Sequence, residues 1–238
     1  MRTVMMHGIQ DRLQDGRALR ALKGLFVLMT VVSVLGLLTG CVSEKSQRKA
    51  EGYYKEGLSM IGFDQQRAFV SFQRAIQEDP RHKQAHYSLG HLYARQANFE
   101  AAEREFRTVL DIDPEYSAAW VYLGQILAHT DRWDEAIQCY RDALANPLYV
   151  TPDLARFHLG KALGHQGQMD EAIKVLEDAL LVSPPSVPRE QLHLEIGRAY
   201  YRIGEDAKAR ASLSRVASLD KGGAYTEEAD KLLGRLGP

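Results

Sequence analysis

Apolar residues recur at intervals of three and four positions from residue 50 to residue 233. This spacing predicts amphipathic α-helices of about 12 to 14 residues, each with one apolar face. Two proline-containing stretches, 146–152 and 183–188, interrupt the periodicity. They predict loops, because proline cannot donate a hydrogen bond to a helix ladder. The pattern therefore predicts an all-α chain built from short, paired helices.

The same residue types return with a period of 34 to 37 residues, and glycines at positions 90, 124, 160 and 197 mark the register. Each glycine is followed by an alanine twelve positions later and by an aromatic residue or leucine four positions beyond that. These residues are Ala102, Ala136, Ala172 and Ala209, then Phe106, Tyr140, Leu176 and Leu213. We expect glycine where two helices approach most closely, since a larger side chain would force them apart. Pro80, Pro114 and Pro184 are expected to end second helices.

This pattern resembles the tetratricopeptide repeat. The third repeat carries it best, through Trp120, Leu123, Gly124, Leu127, Trp133, Ala136, Tyr140 and Ala143. The resemblance implies a tetratricopeptide-repeat solenoid with repeats at 50–82, 83–116, 117–152, 153–189 and 190–223. A capping helix is expected within 224–238, because an end repeat has no neighbour to cover its apolar face. The first repeat has one residue fewer between Gly57 and Ala68, which suggests a tightened turn or an atypical cap.

The first 40 residues have the layout of an export signal. A lead with a net charge of +3 precedes an uncharged stretch from Leu25 to Gly40. Its apolar run is shorter than the roughly 20 residues that a spanning helix needs. The stretch ends in Leu38-Thr39-Gly40-Cys41, which resembles a bacterial lipobox and implies cleavage before a lipid-modified Cys41. Residues 41–49 would then be a lipidated polar tether, and Val42 implies sorting to the outer membrane, facing the periplasm. The alternative is an uncleaved amino-terminal anchor.

Composition and charge exclude several other classes of protein. The chain has 30 basic and 31 acidic residues, and the part after residue 40 has 25 and 29, which argues against a nucleic-acid-binding protein. With Cys41 lipidated, Cys139 is expected to be a buried apolar residue without a disulfide partner. No catalytic motif occurs, and His82 and His86 lack further metal ligands nearby. We therefore expect no catalysis, no metal, no cofactor and no small-molecule substrate.

In proteins with this repeat, positions 2, 5, 9, 12 and 13 of each first helix line a concave groove, and this resemblance selects candidate binding residues. Position 5 supplies an apolar and aromatic row: Tyr54, Tyr87, Val121, Phe157 and Leu194. Positions 9 and 13 supply His91, Arg95, Gln125, His129, Lys161, His165, Arg198 and Arg202, and Tyr201 is at position 12 of the fifth repeat. Because Glu51 is the only acid at these positions, we expect a positive groove that binds an extended acidic segment. Alternatively, the long basic side chains only cover helix surface.

The histidines of this groove predict a pH dependence. His91, His129 and His165 would titrate near pH 6.5 without perturbation, so an acidic partner is expected to bind more tightly on mild acidification.

The lipobox, the polar tether, the repeats and the junction 146–152 together resemble the type IV pilus biogenesis lipoproteins. The junction, Asn146-Pro147-Leu148-Tyr149-Val150-Thr151-Pro152, is similar to a Leu-Tyr-containing junction of that family. The resemblance implies a pilotin, which binds secretin subunits so that they reach the outer membrane and assemble. Five clear repeats instead of six, and the prolyl loop at 183–188, depart from the family pattern. The alternative is a general envelope adaptor for peptidoglycan enzymes or outer-membrane assembly machinery.

Overall fold

The computed structural model describes residues 43–221 and 223–236, and the chain divides into a unit that ends at Arg48 and a unit that begins at Lys49. The described residues form eleven α-helices and no strand, which confirms the predicted all-α fold. Within that part of the chain, no helix has both the length and the apolar character needed to cross a membrane. Cys41 and the predicted signal segment lie outside the described residues.

The helices follow one another as antiparallel pairs, one pair for each of five repeats, with a single helix at the end. They are α1 Glu44–Met60, α2 Gln65–Glu78, α3 Lys83–Arg95, α4 Phe99–Ile112, α5 Ser117–His129, α6 Trp133–Ala145, α7 Pro152–His165, α8 Met169–Leu180, α9 Arg189–Arg202, α10 Asp206–Asp220 and α11 Ala224–Arg235. Odd-numbered helices up to α9 are therefore the first helices of the repeats.

The polar stretch predicted as a tether is helical from Glu44 onward, which corrects that expectation for residues 44–49. Ser43 caps the helix, since its hydroxyl accepts a hydrogen bond from the Ser46 amide at 3.1 Å. Glu44 and Arg48, one turn apart, form an ion pair. These residues lack apolar periodicity, so their sequence resembles a linker although local capping and charge pairing support a helix.

Glycines hold the two helices of each repeat together at close range, as the sequence predicted. A Cβ atom added at each of these positions would lie 2.5 to 2.9 Å from the nearest side-chain atom of the second helix. The five pairs are Gly57 with Phe72, Gly90 with Phe106, Gly124 with Tyr140, Gly160 with Leu176 and Gly197 with Leu213. The partner side chains are at most 2% exposed, so the glycines allow large residues to fill the core.

The turns inside repeats two to five use a residue with left-handed backbone at the same place. These residues are Ala97, Asp131, Gly167 and Gly204, with φ between 55° and 79°. The first repeat turns differently, and no described residue of its turn has a positive φ. Its first helix ends three residues after Gly57, whereas α3 ends five residues after Gly90. The first repeat is therefore shorter because its first helix, α1, ends earlier than α3 does.

Both long junctions are loops, and side chains fix them to the array. Asp153 is fully buried at the start of α7 and accepts hydrogen bonds from the Ser186 amide and hydroxyl, both at 2.6 Å, and from the Val187 amide at 2.9 Å. The loop before α9 is thereby attached to α7. Asn146 donates to the Glu115 carbonyl at 3.0 Å and attaches the loop before α7. Long loops therefore do not loosen the packing of neighbouring repeats.

The last helix covers the end of the array, which confirms the predicted cap. Ala229 of α11 is fully buried in a cluster with Leu194, Leu213 and Val216. Tyr225, Leu232, Leu233 and Leu236 pack around this cluster. The apolar face of the fifth repeat is thereby shielded from water.

Candidate protein-binding groove

The predicted apolar row at position 5 lies mostly in the hydrophobic core. Val121, Phe157 and Leu194 are 0%, 4% and 2% exposed, so they are not available to a partner. Tyr54 is half-buried and its ring centroid is 5.8 Å from that of Phe72. The prediction was wrong for Val121, Phe157 and Leu194 because each first helix has a neighbouring repeat beside it. An apolar side chain there is removed from water by that repeat rather than by a ligand.

Aromatic rings fill the groove between α3 and α5. His91 lies 4.0 Å from Tyr122 and 4.6 Å from Tyr87, measured between ring centroids, and Tyr87 is 5.2 Å from Tyr116. We call Tyr87, His91, Tyr116 and Tyr122 the aromatic segment. Desolvation by burial lowers the pKa of His91 to about 4. His91 is therefore neutral between pH 5.5 and 7.5, which removes it from the expected pH dependence of binding.

The position-13 side chains of repeats two to four pack on the second helix of the preceding repeat, and that of the fifth repeat contacts the preceding first helix. The His129 ring stacks on Phe99 at 5.2 Å and the His165 ring stacks on Trp133 at 3.8 Å. Arg95 lies 2.7 Å from the side-chain amide of Gln65 and donates to its oxygen once the amide is turned so that this oxygen faces the guanidinium. Arg202 donates to the Gly164 carbonyl at 3.0 Å. These residues join neighbouring repeats, a role that the sequence pattern did not predict.

The predicted cations at position 9 have different electrostatic surroundings. Arg198 pairs with Glu195 at 2.6 Å and also with Glu228 of the capping helix, so its charge is compensated. Lys161 is exposed, and its ammonium lies 5.3 Å from the centroid of the Phe157 ring. Within residues 43–221 and 223–236, neither Lys161 nor Arg202 forms an ion pair. Between α7 and α9, the uncompensated positive charge of the groove is therefore that of Lys161 and Arg202.

Two neighbouring cavities open along the groove between α5 and α9. The cavity between α5 and α7 has a volume of about 220 Å³ and is lined by Gln125, Ala128, His129, Trp133, Tyr140, His158, Lys161 and Ala162. The cavity between α7 and α9 has a volume of about 340 Å³, and Lys161, His165, Arg198 and Arg202 are among its lining residues. Trp133 and Lys161 line both cavities. We call the two cavities together the cavity segment.

Several residues of the cavity segment were missed by the sequence analysis. Trp133 and Tyr140 belong to second helices, and Glu195 is at position 6, outside the positions considered. His158 is also at position 6; desolvation lowers its pKa to about 4, and the Lys161 charge acts in the same direction. Glu195 and His158 lie one turn before the predicted Arg198 and Lys161, and this spacing was the signal that could have identified them. Tyr201, which was predicted, does not line either cavity.

Two further histidines, His82 and His86, and the cysteine Cys139 make contacts that stabilise the fold. The His82 ring caps α3 by accepting from the Ala85 amide at 3.2 Å. His86 lies between Glu105, at 2.6 Å, and the Pro80 carbonyl, at 3.1 Å. Cys139 is buried and free, as predicted, and burial raises the pKa of its thiol to about 12. In the described part of the chain, no three His, Cys, Asp or Glu residues are grouped to hold a metal ion.

A helical repeat array with a groove lined by aromatic, amide and cationic side chains is typical of scaffold proteins that bind protein partners or peptides. The tetratricopeptide repeat profile matches residues 87–149, 132–188 and 157–229, together more than half of the sequence. The chain belongs to the tetratricopeptide repeat family. Members of this family are typically non-catalytic scaffolds that bind protein partners or peptides.

Solved structures share this fold. PilW, a widely conserved type IV pilus biogenesis factor, is 21% identical with a TM-score of 0.68, covering 78% of this chain and 86% of its own. PilF of Pseudomonas aeruginosa is 20% identical with a TM-score of 0.66, covering 82% and 91%. YrrB, a repeat protein with an unusual peptide-binding site, is 20% identical with a TM-score of 0.64, covering 79% and 94%. At these identities the likeness establishes the fold.

Curated relatives match over short stretches. The PsbB mRNA maturation factor Mbb1 of Chlamydomonas reinhardtii is 41% identical over 61 residues, and the tetratricopeptide repeat-containing protein trd-1 of Caenorhabditis elegans is 34% identical over 70. These matches cover 26% and 29% of this chain but 9% of each relative. They reflect the shared repeat unit.

Proposed function

We propose that this protein is a lipid-anchored scaffold of the outer membrane, facing the periplasm, that assists secretin targeting and assembly in type IV pilus biogenesis. It acts by binding a protein partner in its groove and carries out no catalysis. The lipid on Cys41 restricts the scaffold to the membrane at which the secretin assembles. The observation that carries the proposal is the shared fold with PilW and PilF over 86% and 91% of those chains.

The junction before α7 supports this assignment. It resembles the Leu-Tyr-containing junction of the type IV pilus lipoproteins, and it is attached to the array at Asn146. Tyr149 packs on the central hydrophobic core, while Leu148 and Val150 are 84% and 87% exposed. A loop fixed at two points that exposes two aliphatic side chains offers a hydrophobic contact to a partner.

A general envelope adaptor is the second candidate. The shared fold with YrrB, a repeat protein with an unusual peptide-binding site, supports a peptide-binding groove without reference to pili. In that case the partners are peptidoglycan enzymes or outer-membrane assembly factors, and the lipid anchor serves only to place the scaffold at the membrane.

Envelope fractionation and cross-linking test the proposal. In the organism that encodes the chain, we would compare wild type, a deletion strain and Cys41→Ser. Secretin multimers are quantified in separated inner and outer membranes, and proteins cross-linked to the scaffold are identified by mass spectrometry. We expect fewer outer-membrane secretin multimers in the deletion strain and in Cys41→Ser, with the secretin recovered on the scaffold.

Cys139→Ser is the matched control, since Cys139 is buried inside the array and is not placed at a lipidation motif. It should leave secretin localisation unchanged. Normal secretin multimers in the deletion strain would contradict the pilotin role. Recovery of peptidoglycan enzymes or assembly factors in place of a secretin would favour the general adaptor.

A further inference from the structure

Position 9 of one repeat faces position 6 of the next repeat across the groove. His91 contacts Tyr122 in this way, with ring centroids 4.0 Å apart, and Gln125 contacts His158 with 3.2 Å between their nitrogens. The next pair along the array is Lys161 and Glu195. Opposite charges at these positions would be expected to form an ion pair.

That ion pair does not form, because Glu195 is already engaged. Its carboxylate accepts from Arg198 at 2.6 Å, and Arg198 also pairs with Glu228 of α11. Arg198 follows Glu195 by one helical turn on α9, and it links Glu195 to the capping helix at the end of the groove. Lys161 is left exposed between the two cavities, without a carboxylate partner among the described residues.

The two cavities differ in chemistry. The one between α5 and α7 has walls formed by Ala128, Trp133, Tyr140 and Ala162, with few charges. Its volume of about 220 Å³ lies below the 300–1,000 Å³ typical of small-molecule pockets, so it suits a single side chain. The one between α7 and α9 is wider, and its charged lining residues are Lys161, Arg198, Arg202, Glu195 and Glu228. Both carboxylates pair with Arg198, whereas Lys161 and Arg202 form no ion pair within the described residues. An exposed cation without an ion-pair partner attracts a carboxylate.

We infer that the cavity segment binds an extended peptide of a partner protein in which a large apolar side chain lies close to a carboxylate side chain. The apolar side chain enters the cavity between α5 and α7, and the carboxylate contacts Lys161 and Arg202. This inference rests on the proposed scaffold function and specifies the sequence that the groove selects. Charge complementarity and the shared lining residue Lys161 place both parts of the ligand within one short segment.

Three fluorescein-labelled peptides test the inference with the purified chain. Each has Gly-Ser flanks and a phenylalanine followed by an aspartate, with zero, one or two serines between them. Fluorescence anisotropy reports binding to wild type, and each peptide is paired with a version in which asparagine replaces aspartate. We expect at least one spacing to bind in the micromolar range and to weaken at least fivefold on replacement of the aspartate.

Variants of the chain then separate the two contacts. Lys161→Gln should weaken binding of the aspartate peptide about five- to tenfold and reduce the difference between aspartate and asparagine, of which Arg202 retains a part. Ala128→Leu, which fills the smaller cavity, should abolish the preference for phenylalanine over alanine, measured with a version of the peptide in which alanine replaces phenylalanine. Lys174→Gln is the control, since Lys174 is exposed on α8 and lines neither cavity. Circular dichroism and thermal unfolding establish that each variant is folded.

Three results would overturn the inference. The first is no detectable binding of any of the three peptides to wild type at about 0.5 mM, a concentration on the order of the dissociation constant of a weak complex. The second is equal binding of the aspartate peptide by wild type and Lys161→Gln. The third is a tenfold preference for phosphoserine over aspartate in the peptide. The last result would assign a phosphorylated partner to the groove. Because these assays contain no secretin, the proposed pilus role fails separately: secretin mislocalisation in the deletion strain can persist although the peptides do not bind.

Discussion

The aromatic segment and the cavity segment occupy equivalent positions of successive repeats but have different surfaces. Between α3 and α5, the rings of His91 and Tyr122 contact each other edge to face, and Tyr87 and Tyr116 extend this aromatic contact. Between α7 and α9, the equivalent positions carry Lys161 and Glu195, which do not pair with each other. The same backbone therefore supports a filled groove in one place and two cavities in another.

The difference shows how a repeat array restricts binding to part of its length. Rings at positions 6 and 9 stabilise the contact between repeats through aromatic packing. The pairing of charged residues at those positions depends on the charges of neighbouring helices. Here the capping helix supplies Glu228, which pairs with Arg198. The end of the array thereby determines which cation remains unpaired in the groove.

Removing the Asp153 carboxylate should have the largest effect on the cavity segment. Asp153→Ala leaves the donors of Ser186 and Val187 without their acceptor and releases the loop that precedes α9. We expect a loss of about 3 kcal/mol in the free energy of unfolding. Urea unfolding measures it, and Asp178→Ala, at an exposed position of α8, should change stability by less than about 0.5 kcal/mol.

The Asp153 contribution should also depend on pH. Burial raises the pKa of this carboxyl, but the hydrogen bonds from Ser186 and Val187 lower it to below its ordinary value overall. A lowered folded-state pKa means that the stabilisation is present above the unfolded-state pKa of about 3.9 and is lost as the pH falls through the folded-state value. The stability difference between wild type and Asp153→Ala should therefore shrink at pH 2 to 3. An equal difference at pH 7 and pH 2 would contradict this.

Equivalent glycines in the two segments should differ in their tolerance of alanine. At Gly90 the added Cβ would lie 2.9 Å from the Phe106 ring, which is itself enclosed by Tyr87, His91 and Tyr122. At Gly160 the added Cβ would lie 2.5 Å from Leu176 Cγ, an atom near the base of a side chain that is 2% exposed. We therefore expect Gly160→Ala to cost about 3 kcal/mol and Gly90→Ala about 2 kcal/mol.

Gly164 provides the control for this comparison, because no atom lies within 4 Å of its added Cβ. Gly164→Ala should gain about 0.5 to 1 kcal/mol from helix propensity. Chemical denaturation of the three variants at pH 7 measures the series. Equal costs at Gly90 and Gly160 would mean that the two segments are equally rigid.

Acid should destabilise both segments through one histidine in each. Desolvation lowers the pKa values of His91 and His158 to about 4, whereas an unfolded histidine titrates near 6.5. Between these values the unfolded chain binds more protons, so stability falls as the pH falls from 6.5 to 4, by on the order of 2 kcal/mol for each histidine. His91→Phe and His158→Phe should each flatten the measured slope.

His86 opposes this trend. Although burial lowers its pKa, hydrogen bonds with Glu105 and the Pro80 carbonyl and the nearby negative charges raise it overall. The stabilisation by His86 is therefore present below pH 6.5 and is lost as the pH rises through the folded-state pKa.

The His158 prediction is contradicted if His158→Phe and wild type have the same slope of stability against pH between pH 6.5 and 4. The His158 ring is then more hydrated than its surroundings indicate.

The turns should show the smallest effects. Ala97 and Asp131 have left-handed backbone, with φ of 55° and 58°, where Gly167 serves in the fourth repeat. Glycine adopts this conformation without a Cβ clash, so Ala97→Gly and Asp131→Gly should each gain about 0.5 to 1 kcal/mol. Gly167→Ala should lose a similar amount. Thermal unfolding of the three variants checks the expected signs, and a loss of stability in Asp131→Gly would contradict the argument.

The fold was predictable from sequence because its determinants are local and repeated. A glycine every 34 to 37 residues, followed at fixed distance by a large side chain, corresponds directly to the contacts of Gly124 with Tyr140 and Gly160 with Leu176. The start of α1 at Glu44 was missed, since its first turn depends on capping and charge pairing instead of an apolar face. Lipidation at Cys41 and sorting to the outer membrane stay predictions.

The binding surface was predictable only in outline. Sequence positions placed Lys161 and Arg202 in the groove, and both line the larger cavity. They could not show that Phe157 is enclosed by the next repeat or that His165 stacks on Trp133. These outcomes depend on contacts between repeats, whose sequence separation exceeds 30 residues.

The sequence by itself determined that this chain is an all-α tetratricopeptide-repeat protein, because helix periodicity and close glycine packing are properties of each repeat alone. Tertiary structure decided which of the groove cations are compensated. Arg198 meets Glu228 only because the capping helix folds back against the last repeat, and Lys161 remains without a partner in the described array because Glu195 is held by Arg198. Charge is fixed by the residue, whereas its availability to a partner is fixed by what the fold places beside it.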